Sequence, residues 1–134
     1  MHPNERLLRH EYEARARRDD ASLAAILAAD VVWHVPGRSP ISGVYRGRAE
    51  VMEYVRRRRD LADDTFEITV HDVLANDKHG LVIASGRATR RGRVVEWRAH
   101  GLYRFEIGKM TNASFGRFAR SAEALLLGKR AAGL

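Results

Sequence analysis

The spacing of hydrophobic residues along the chain changes near residue 65. Before that point apolar residues recur at three- and four-residue intervals, which is typical of amphipathic helices. After it they alternate with polar residues, which is typical of half-buried strands. The first half therefore predicts three helices and one early strand, and the second half predicts four antiparallel strands. This segregated order indicates an α+β fold in which the helices cover one face of a curved antiparallel sheet.

Turn and capping residues set the limits of the predicted elements. The helices are expected at Glu5–Arg18, from a cap at Asp20 or Ser22 through Leu27, and at Gly47–Leu61. The strands are expected at Val31–Val35, Thr65–Ala75, Leu81–Arg90, Val94–Ile107 and Met110–Phe118. A short helix at Ala122–Leu127 follows. Residues 1–134 are thus expected to form one domain, with a core of about 5–118 and a C-terminal helix or tail at 119–134.

The two longest predicted strands meet at residues 91–92, which are typical of a two-residue hairpin turn. This turn places Arg87 opposite Glu96 as a cross-strand ion pair. One face of the sheet then has aromatic residues at its rim and small residues at its centre, and Asn112 and Ser114 continue that face. Small residues leave room either for a closely packed helix or for a cavity. The two polar side chains favour the cavity, because buried polar groups need partners.

Asp72 interrupts the alternation of its strand, because it falls in register with the apolar residues Phe66, Ile68 and Val70. Either a β-bulge turns Asp72 outward, or Asp72 is a buried carboxylate with a raised pKa. We expect the bulge.

The early strand ends at residues 36–37, Pro and Gly, and a loop with further Pro and Gly residues follows. Trp33 and Val35 share one face of this strand, and His34 lies on the other. A tryptophan at a strand end beside such a loop suggests the mouth of a pocket. His34 is then either a partly exposed turn residue or a ligand contact. Tyr12, on the apolar face of the first helix, is either a core residue or a hydrogen-bond donor in the pocket.

The formal net charge of +7 raises the question of a nucleic-acid partner. Three of the 24 basic residues are lysines, and the arginines are scattered along the chain. The one dense run, Arg56–Arg59, fans around a helix rather than forming a stripe. We therefore favour a compositional origin of the charge, and we do not expect nucleic-acid binding.

Several classes of chemistry have no motif in this sequence. The six histidines show no spacing suited to a three-ligand metal site, so we predict no metal and no cofactor. The chain has no cysteine and therefore no disulfide or thiol chemistry. No apolar run approaches the roughly 18 residues of a membrane span, and the N-terminus lacks the order of a signal peptide. We expect a cytoplasmic protein without a membrane partner.

Several of these motifs together resemble the SnoaL-like polyketide cyclase family, within the nuclear transport factor 2-like (ketosteroid isomerase-like) superfamily. They are Tyr12-Glu13-Ala14-Arg15, Asp30-Val31-Val32-Trp33-His34-Val35-Pro36-Gly37, Gly43 to Val51, His71 to Asp77 and Gly108-Lys109-Met110. The resemblance implies a cone-shaped domain with a deep apolar pocket between sheet and helices. It also implies a homodimer formed through the sheet. Because this family spans enzymes and non-enzymes, the resemblance does not fix an activity.

The family's catalytic residues are only partly matched. Tyr12 corresponds to the oxyanion tyrosine of ketosteroid isomerases, but the general-base aspartate falls on Val35. The strand that carries their second oxyanion acid offers Ala99, Gly101 and Tyr103. The isomerase mechanism therefore does not carry over, and any acid–base chemistry needs another group.

Two hypotheses for function remain. The first is a cyclase- or isomerase-like enzyme that acts by acid–base chemistry on an apolar, carbonyl-bearing molecule. Its candidate catalytic residues are Tyr12, His34 and Asn112, with Tyr12 and Asn112 binding the oxyanion and His34 acting as base or acid. The candidate substrate-binding residues are Trp33, Val35, Tyr54, Trp97, Tyr103 and Ser114. The second is a protein that binds a hydrophobic small molecule in the same pocket without chemistry.

Overall fold

The computed structural model describes residues 1–62 and 65–116 of the chain. The elements of these ranges are α1 Pro3–Ala16, α2 Asp20–Ile26, β1 Leu27–Val35, β2 Gly43–Arg46, α3 Arg48–Leu61, β3 Glu67–Ala75, β4 His79–Arg90, β5 Arg93–Glu106 and β6 Lys109–Gly116. The predicted α+β class, with three N-terminal helices, is confirmed. The predicted helix at Ala122–Leu127 and the predicted end of the last strand at Phe118 lie outside the described residues.

The six strands form one curved sheet in the order β2-β1-β6-β5-β4-β3. The chain therefore returns from the outer strand β3 through β4 and β5 to β6, which lies beside β1. The β1–β6 pair is parallel, and the other neighbouring pairs are antiparallel. β1 is therefore paired on both sides, between the edge strand β2 and β6.

The β4–β5 hairpin has the predicted register. Arg87 is paired with Glu96, and the turn consists of Arg91 and Gly92, both with positive φ. Two consecutive positive φ values are characteristic of the turns that match the twist of a two-stranded hairpin. The predicted strand to Ile107 is one residue too long, since Ile107 lies fully exposed in the following turn.

The expected bulge at Asp72 is confirmed. The register between β3 and β4 shifts between Val70 and Asp72, so that His71 is the extra residue. Asp72 is exposed and Val73 is buried. The bulge thus restores the alternation of inner and outer residues for the rest of the strand.

The predicted face of β6 is wrong because of a second bulge. Arg104 pairs with Asn112 while the next residue, Phe105, pairs with Met110, which leaves Thr111 as an extra residue on β6. This bulge places Ala113 and Phe115 on the inner face. It turns Asn112 and Ser114 to the outer face, away from the helices.

Side-chain hydrogen bonds occur at the starts of α1 and α2. The α1 residue Asn4 donates from Nδ2 to the backbone oxygens of Asn76 and Asp77, at 2.9 and 3.1 Å, and so ties α1 to the turn between β3 and β4. The cap of α2 is Asp19, which accepts from the backbone N–H of Ser22, and not the predicted Asp20 or Ser22.

A single hydrophobic core lies between the helices and the inner sheet face. The helix α1 packs on β3 and β4, and α3 packs on β1 and β2, which leaves the space between the two helices over the middle of the sheet. Fully buried core residues include Leu8, Leu23, Val31, Val51 and Met110. None of the described helices is long and apolar enough to cross a membrane.

Candidate functional site

A cavity of about 610 Å³ lies between the inner face of the sheet and the helices α1 and α3. Its apolar walls include Val35, Ile41, Leu61, Ile68, Ala84, Trp97 and Phe115. Its polar lining includes Tyr12, Arg15, Tyr54, Arg58 and His100. The exposed residues of the loop 36–39 lie at its mouth. Its volume and its mostly apolar lining are those of small-molecule sites.

The structure places four of the predicted site residues in the cavity lining, namely Tyr12, Val35, Tyr54 and Trp97. Trp33 and Tyr103, predicted as pocket walls, do not line it, because both lie one layer deeper with at most 2% of their surface exposed. The Trp33 ring packs edge-on against Phe115, at 5.0 Å between ring centroids. Phe115 thus lines the cavity, and Trp33 packs behind it.

His34, Asn112 and Ser114 lie on the outer face of the sheet, so their predicted places in the pocket are wrong. The parallel pairing of β1 with β6 sets His34 beside Ser114, and the bulge in β6 turns both polar residues of that strand outward. The Nδ2 atom of Asn112 lies 3.4 Å from Nε2 of His34. Neither side chain reaches the cavity, so the roles proposed for them there are not possible in this fold.

The hydroxyl of Tyr12 is joined to that of Tyr103 by a hydrogen bond of 2.5 Å between the two oxygens. Burial raises the pKa of Tyr12, while Arg15 and the hydrogen bond from Tyr103 oppose that rise. Burial also raises the pKa of Tyr103, well above its ordinary value, and the neighbouring Tyr12 and Glu11 raise it further. Both phenols are therefore protonated at neutral pH.

A buried ion pair lies behind Tyr12 on the same helix. Glu11 is fully buried, and the Nε atom of Arg15 donates to its Oε1 at 2.6 Å. The Arg15 guanidinium also lies 4.5 Å from the Tyr12 ring centroid and 4.9 Å from that of Trp33. Burial disfavours charge on Arg15, but Glu11, Tyr103 and Tyr12 together outweigh burial and raise the pKa of Arg15. Burial raises the pKa of Glu11, and Arg15 opposes this shift.

A second buried arginine, Arg58, reaches the cavity from α3. Its guanidinium lies over the rings of Phe66 and Tyr54, at 4.3 and 5.5 Å from their centroids, and 9% of the residue is exposed. Burial lowers the pKa of Arg58, but an arginine keeps its charge at any pH at which proteins are folded.

Arg15 and Arg58 were not assigned to the site from the sequence, yet both line the cavity, while Arg38 lies at its mouth. Their positions did carry a signal. Arg15 continues the apolar face of α1 after Leu8 and Tyr12, and Arg58 continues the apolar face of α3 after Tyr54. Burying a charge is costly, so an arginine on the core-facing side of a helix is expected to pair with an acid, stack on an aromatic ring or bind a ligand.

The small residues on the inner face serve two purposes. Some of them, Ala84, Ala88 and Ala99, line the cavity directly. Gly86 and Gly101 are instead covered by rings, since an added Cβ at Gly86 would lie 2.2 Å from Trp97 and one at Gly101 would lie 2.6 Å from the Tyr103 hydroxyl. The alanines therefore leave room for the cavity, as expected from the sequence. At these two glycines, close packing of an aromatic side chain fills the space.

The charges of the cavity are unbalanced. No Asp or Glu of the described residues lines it, whereas Arg15, Arg58 and, at the mouth, the exposed Arg38 do. Behind the lining, Glu11 pairs with Arg15, so the pair and Arg58 leave an excess of positive charge in the interior. No group of three or more His, Asp or Glu side chains suited to a metal ion occurs in the described ranges.

Comparison with known sequences assigns the family. The sequence model of the SnoaL-like domain matches residues 8–113. The chain belongs to the SnoaL-like domain family, in the NTF2-like superfamily. An uncharacterized protein of Mycobacterium tuberculosis is 35% identical to this SnoaL-like domain over 109 residues, which cover 81% of this chain and 83% of the relative.

Solved structures confirm the fold. Bal32a, from a soil-derived mobile gene cassette, matches with a TM-score of 0.83 and 24% identity, over 87% of this chain and 89% of that one. An NTF2-like protein of unknown function from Burkholderia pseudomallei matches with a TM-score of 0.81 and 26% identity, over 93% and 98% of the two chains. TerC, co-crystallized with polyporic acid, matches with a TM-score of 0.79 and 17% identity, over 95% and 100%.

Proposed function

We propose that this protein binds an apolar, oxygen-bearing small molecule in the cavity between α1, α3 and the sheet. The observation that carries the proposal is the position of the Tyr12 hydroxyl, a hydrogen-bond donor in the lining of an otherwise mainly apolar cavity. Apolar walls supply affinity through the area that they remove from water, and a single polar group supplies orientation.

The Tyr12–Tyr103 pair favours one direction of hydrogen bonding. Either hydroxyl could be the donor in this pair. Because Tyr12 lines the cavity and Tyr103 does not, we infer that Tyr103 donates to Tyr12, which leaves the Tyr12 proton for an oxygen of the ligand. A hydroxyl that accepts one hydrogen bond donates a stronger one in turn. A carbonyl, enol or carboxyl oxygen is the natural acceptor at this place.

One protein of the same fold has been crystallized with a small molecule. TerC was co-crystallized with polyporic acid, an acid by its name, and its chain matches nearly all of the present one. At 17% identity this likeness shows the fold alone. The argument for a ligand therefore rests on the cavity itself.

The proposal is tested by calorimetric titration with 2-acetylnaphthalene, a neutral apolar ketone. Saturable binding of one molecule per chain is expected. Tyr12→Phe should weaken it by about threefold to tenfold, the usual contribution of one hydrogen bond. Binding of 2-ethylnaphthalene, which lacks the oxygen, should not respond to that change. Ala99→Leu, which projects a larger side chain into the cavity, should abolish binding of both probes, whereas Ala49→Leu on the exposed start of α3 should not. Binding unaffected by Ala99→Leu would place the site elsewhere.

A second candidate function is enzymatic, and the 2.5 Å hydrogen bond between Tyr12 and Tyr103 favours it. Paired hydroxyls of this kind stabilise an enolate oxygen as it forms. Proton transfer also needs a base near the substrate. His100, at the end of the β5–β6 pair, borders the cavity and is its one imidazole among the described lining residues.

The enzymatic candidate predicts exchange of protons next to a carbonyl. In heavy water, 2-tetralone should lose its α-protons faster with the protein than in buffer. Tyr12→Phe and His100→Gln should each slow this exchange, and His34→Ala should leave it unchanged because His34 lies on the other face. Exchange at the buffer rate, with the ketone bound, would leave binding as the function.

We also propose that the protein forms a homodimer through the outer face of the sheet. One row of directly paired residues crosses all six strands there, namely Val44, His34, Ser114, Leu102, Leu81 and Leu74. Leu74 and Leu102 are each 52% exposed, and Val44 is 48% exposed. An apolar row interrupted by His34 and Ser114 is suited to an interface with polar contacts at its centre.

A further inference from the structure

Two buried guanidinium groups line the cavity, and one of them has an unused donor. The Nε of Arg58 is buried and has no hydrogen-bond partner within the part of the chain that the structure describes, whereas the Nη2 of Arg15 forms an ion pair with Oε1 of Glu11. Both residues line the cavity, and Arg58 is about nine-tenths buried. A buried donor without a partner is costly, so such donors in a cavity point to an acceptor that arrives with the ligand.

The surrounding charges define the acceptor further. Arg38 lies at the mouth of the cavity, where it is exposed. In the interior, Glu11 already engages Arg15 and no described acid lines the cavity, so the charge of Arg58 has no counter-ion. One negative charge on the ligand would neutralise it. A neutral group would leave the charge uncompensated, and a dianion would reverse it.

We propose that the cavity selects an apolar molecule with a single carboxylate, whose oxygens accept hydrogen bonds from Arg58 in the field of the neighbouring Arg15. This inference rests on the proposed binding function and adds the class of ligand. The guanidinium fork matches the planar geometry of a carboxylate. The rings of Tyr54 and Phe66 hold the Arg58 fork in place, and those of Tyr12 and Trp33 hold the Arg15 fork.

The position of the carboxylate also assigns a role to Tyr12. Its ring stacks against the Arg15 guanidinium, so the Tyr12 hydroxyl lies at the edge of the same cation. A ligand with its carboxylate on Arg58 can place a second oxygen, or one carboxylate oxygen, against Tyr12. The aromatic body then lies along Trp97, Phe115 and Ile68.

The test compares three probes that share one ring system, namely 2-naphthoate, 2-naphthamide and 2-naphthyl phosphate. Titration calorimetry should show naphthoate binding about tenfold to a hundredfold more tightly than the amide, the usual range for a hydrogen bond to a charged group. The phosphate, a dianion above its second pKa, should bind more weakly than naphthoate. The amide keeps a carbonyl acceptor but has no negative charge, so it reports on the contribution of the charge.

Two variants on one helix separate the cavity charge from general electrostatics. Arg58→Met keeps the apolar stem and removes the charge, and it should reduce the preference for naphthoate over naphthamide to less than about threefold. Arg58→Lys, which keeps the charge without the fork, should retain part of the preference. Arg56→Met is the matched control, because Arg56 is exposed and pairs with Glu53 on the surface. It should leave the preference unchanged.

The outcomes separate this inference from the function on which it rests. Equal binding of naphthoate and naphthamide, both abolished by Ala99→Leu, would overturn the carboxylate inference and keep the cavity. Tighter binding of the phosphate would overturn the single-charge argument. A preference for naphthoate that survives Arg58→Met but falls in Arg56→Met would place the anion on the surface. Failure of all three probes to bind would overturn the proposed function as well.

Discussion

The hydroxyl oxygens of Tyr12 on α1 and Tyr103 on β5 lie 2.5 Å apart, although 91 positions of the chain separate the two residues. Tyr12 lines the cavity, and Tyr103 lies behind it. Their contact therefore joins the core of the domain to its candidate site. A substitution of either tyrosine should affect both the core and the site.

The tyrosine pair predicts a loss of stability at alkaline pH. Burial raises the pKa of both phenols above 10, so the folded chain keeps these protons at a pH where the unfolded chain has lost them. The free energy of unfolding should consequently fall as the pH rises past about 10. Urea unfolding at a series of pH values should show a shallower fall for the double variant Tyr12→Phe/Tyr103→Phe. Equal slopes would show that the two phenols titrate normally.

Glu11→Met should lower the free energy of unfolding by about 3–5 kcal/mol, because it leaves the buried Arg15 without its counter-ion. The double variant Glu11→Met/Arg15→Met should recover most of that loss, since two apolar side chains replace the pair. Glu13→Met is the control on the same helix: its 3.8 Å pair with Arg17 is exposed and is expected to contribute less than about 1 kcal/mol. A double variant no more stable than Glu11→Met alone would contradict this account of the pair.

The outer-face row predicts the assembly state. Sedimentation velocity should give about twice the chain mass of 15.1 kDa for the unaltered protein. Leu102→Glu should shift it to the monomer, because a carboxylate at the centre of the row would be buried without a partner. Ile107→Glu, in the exposed β5–β6 turn, should leave the dimer intact. A protein that is monomeric before any substitution would refute the interface.

The sequence was sufficient for those parts of the fold that depend on local chemistry. The two-residue turn fixed the pairing of Arg87 with Glu96. The position of Asp72 among apolar residues revealed the bulge in β3. In both cases a residue that is unfavourable in any other register identifies the correct one. Thr111, the extra residue of β6, is tolerated on either face, so nothing in the pattern marked its bulge, and Asn112 and Ser114 were assigned to the wrong face.

The site was harder to predict than the fold because its polar groups depend on distant neighbours. Arg15 is held by rings that include Trp33 and Phe115, from strands far along the chain. In a sequence with scattered arginines, Arg15 and Arg58 look like surface residues. Only their position on the apolar helix faces distinguishes them from the other arginines. That position indicates a role in the site only once the aromatic rings around them are known.

The most direct test of the central claim is the resonance of the Arg58 Nε–H group during a titration with 2-naphthoate. In uniformly ¹⁵N-labelled protein this resonance is assigned by its absence from Arg58→Met. The chemical shift of this resonance should change with naphthoate concentration along the same saturation curve as the calorimetric titration. Naphthamide should change the shift far less, because the carboxylate supplies the acceptor that Nε lacks in the cavity. Saturable binding of naphthoate with the Arg58 resonance unmoved would contradict the claim that the buried Arg58 receives the ligand.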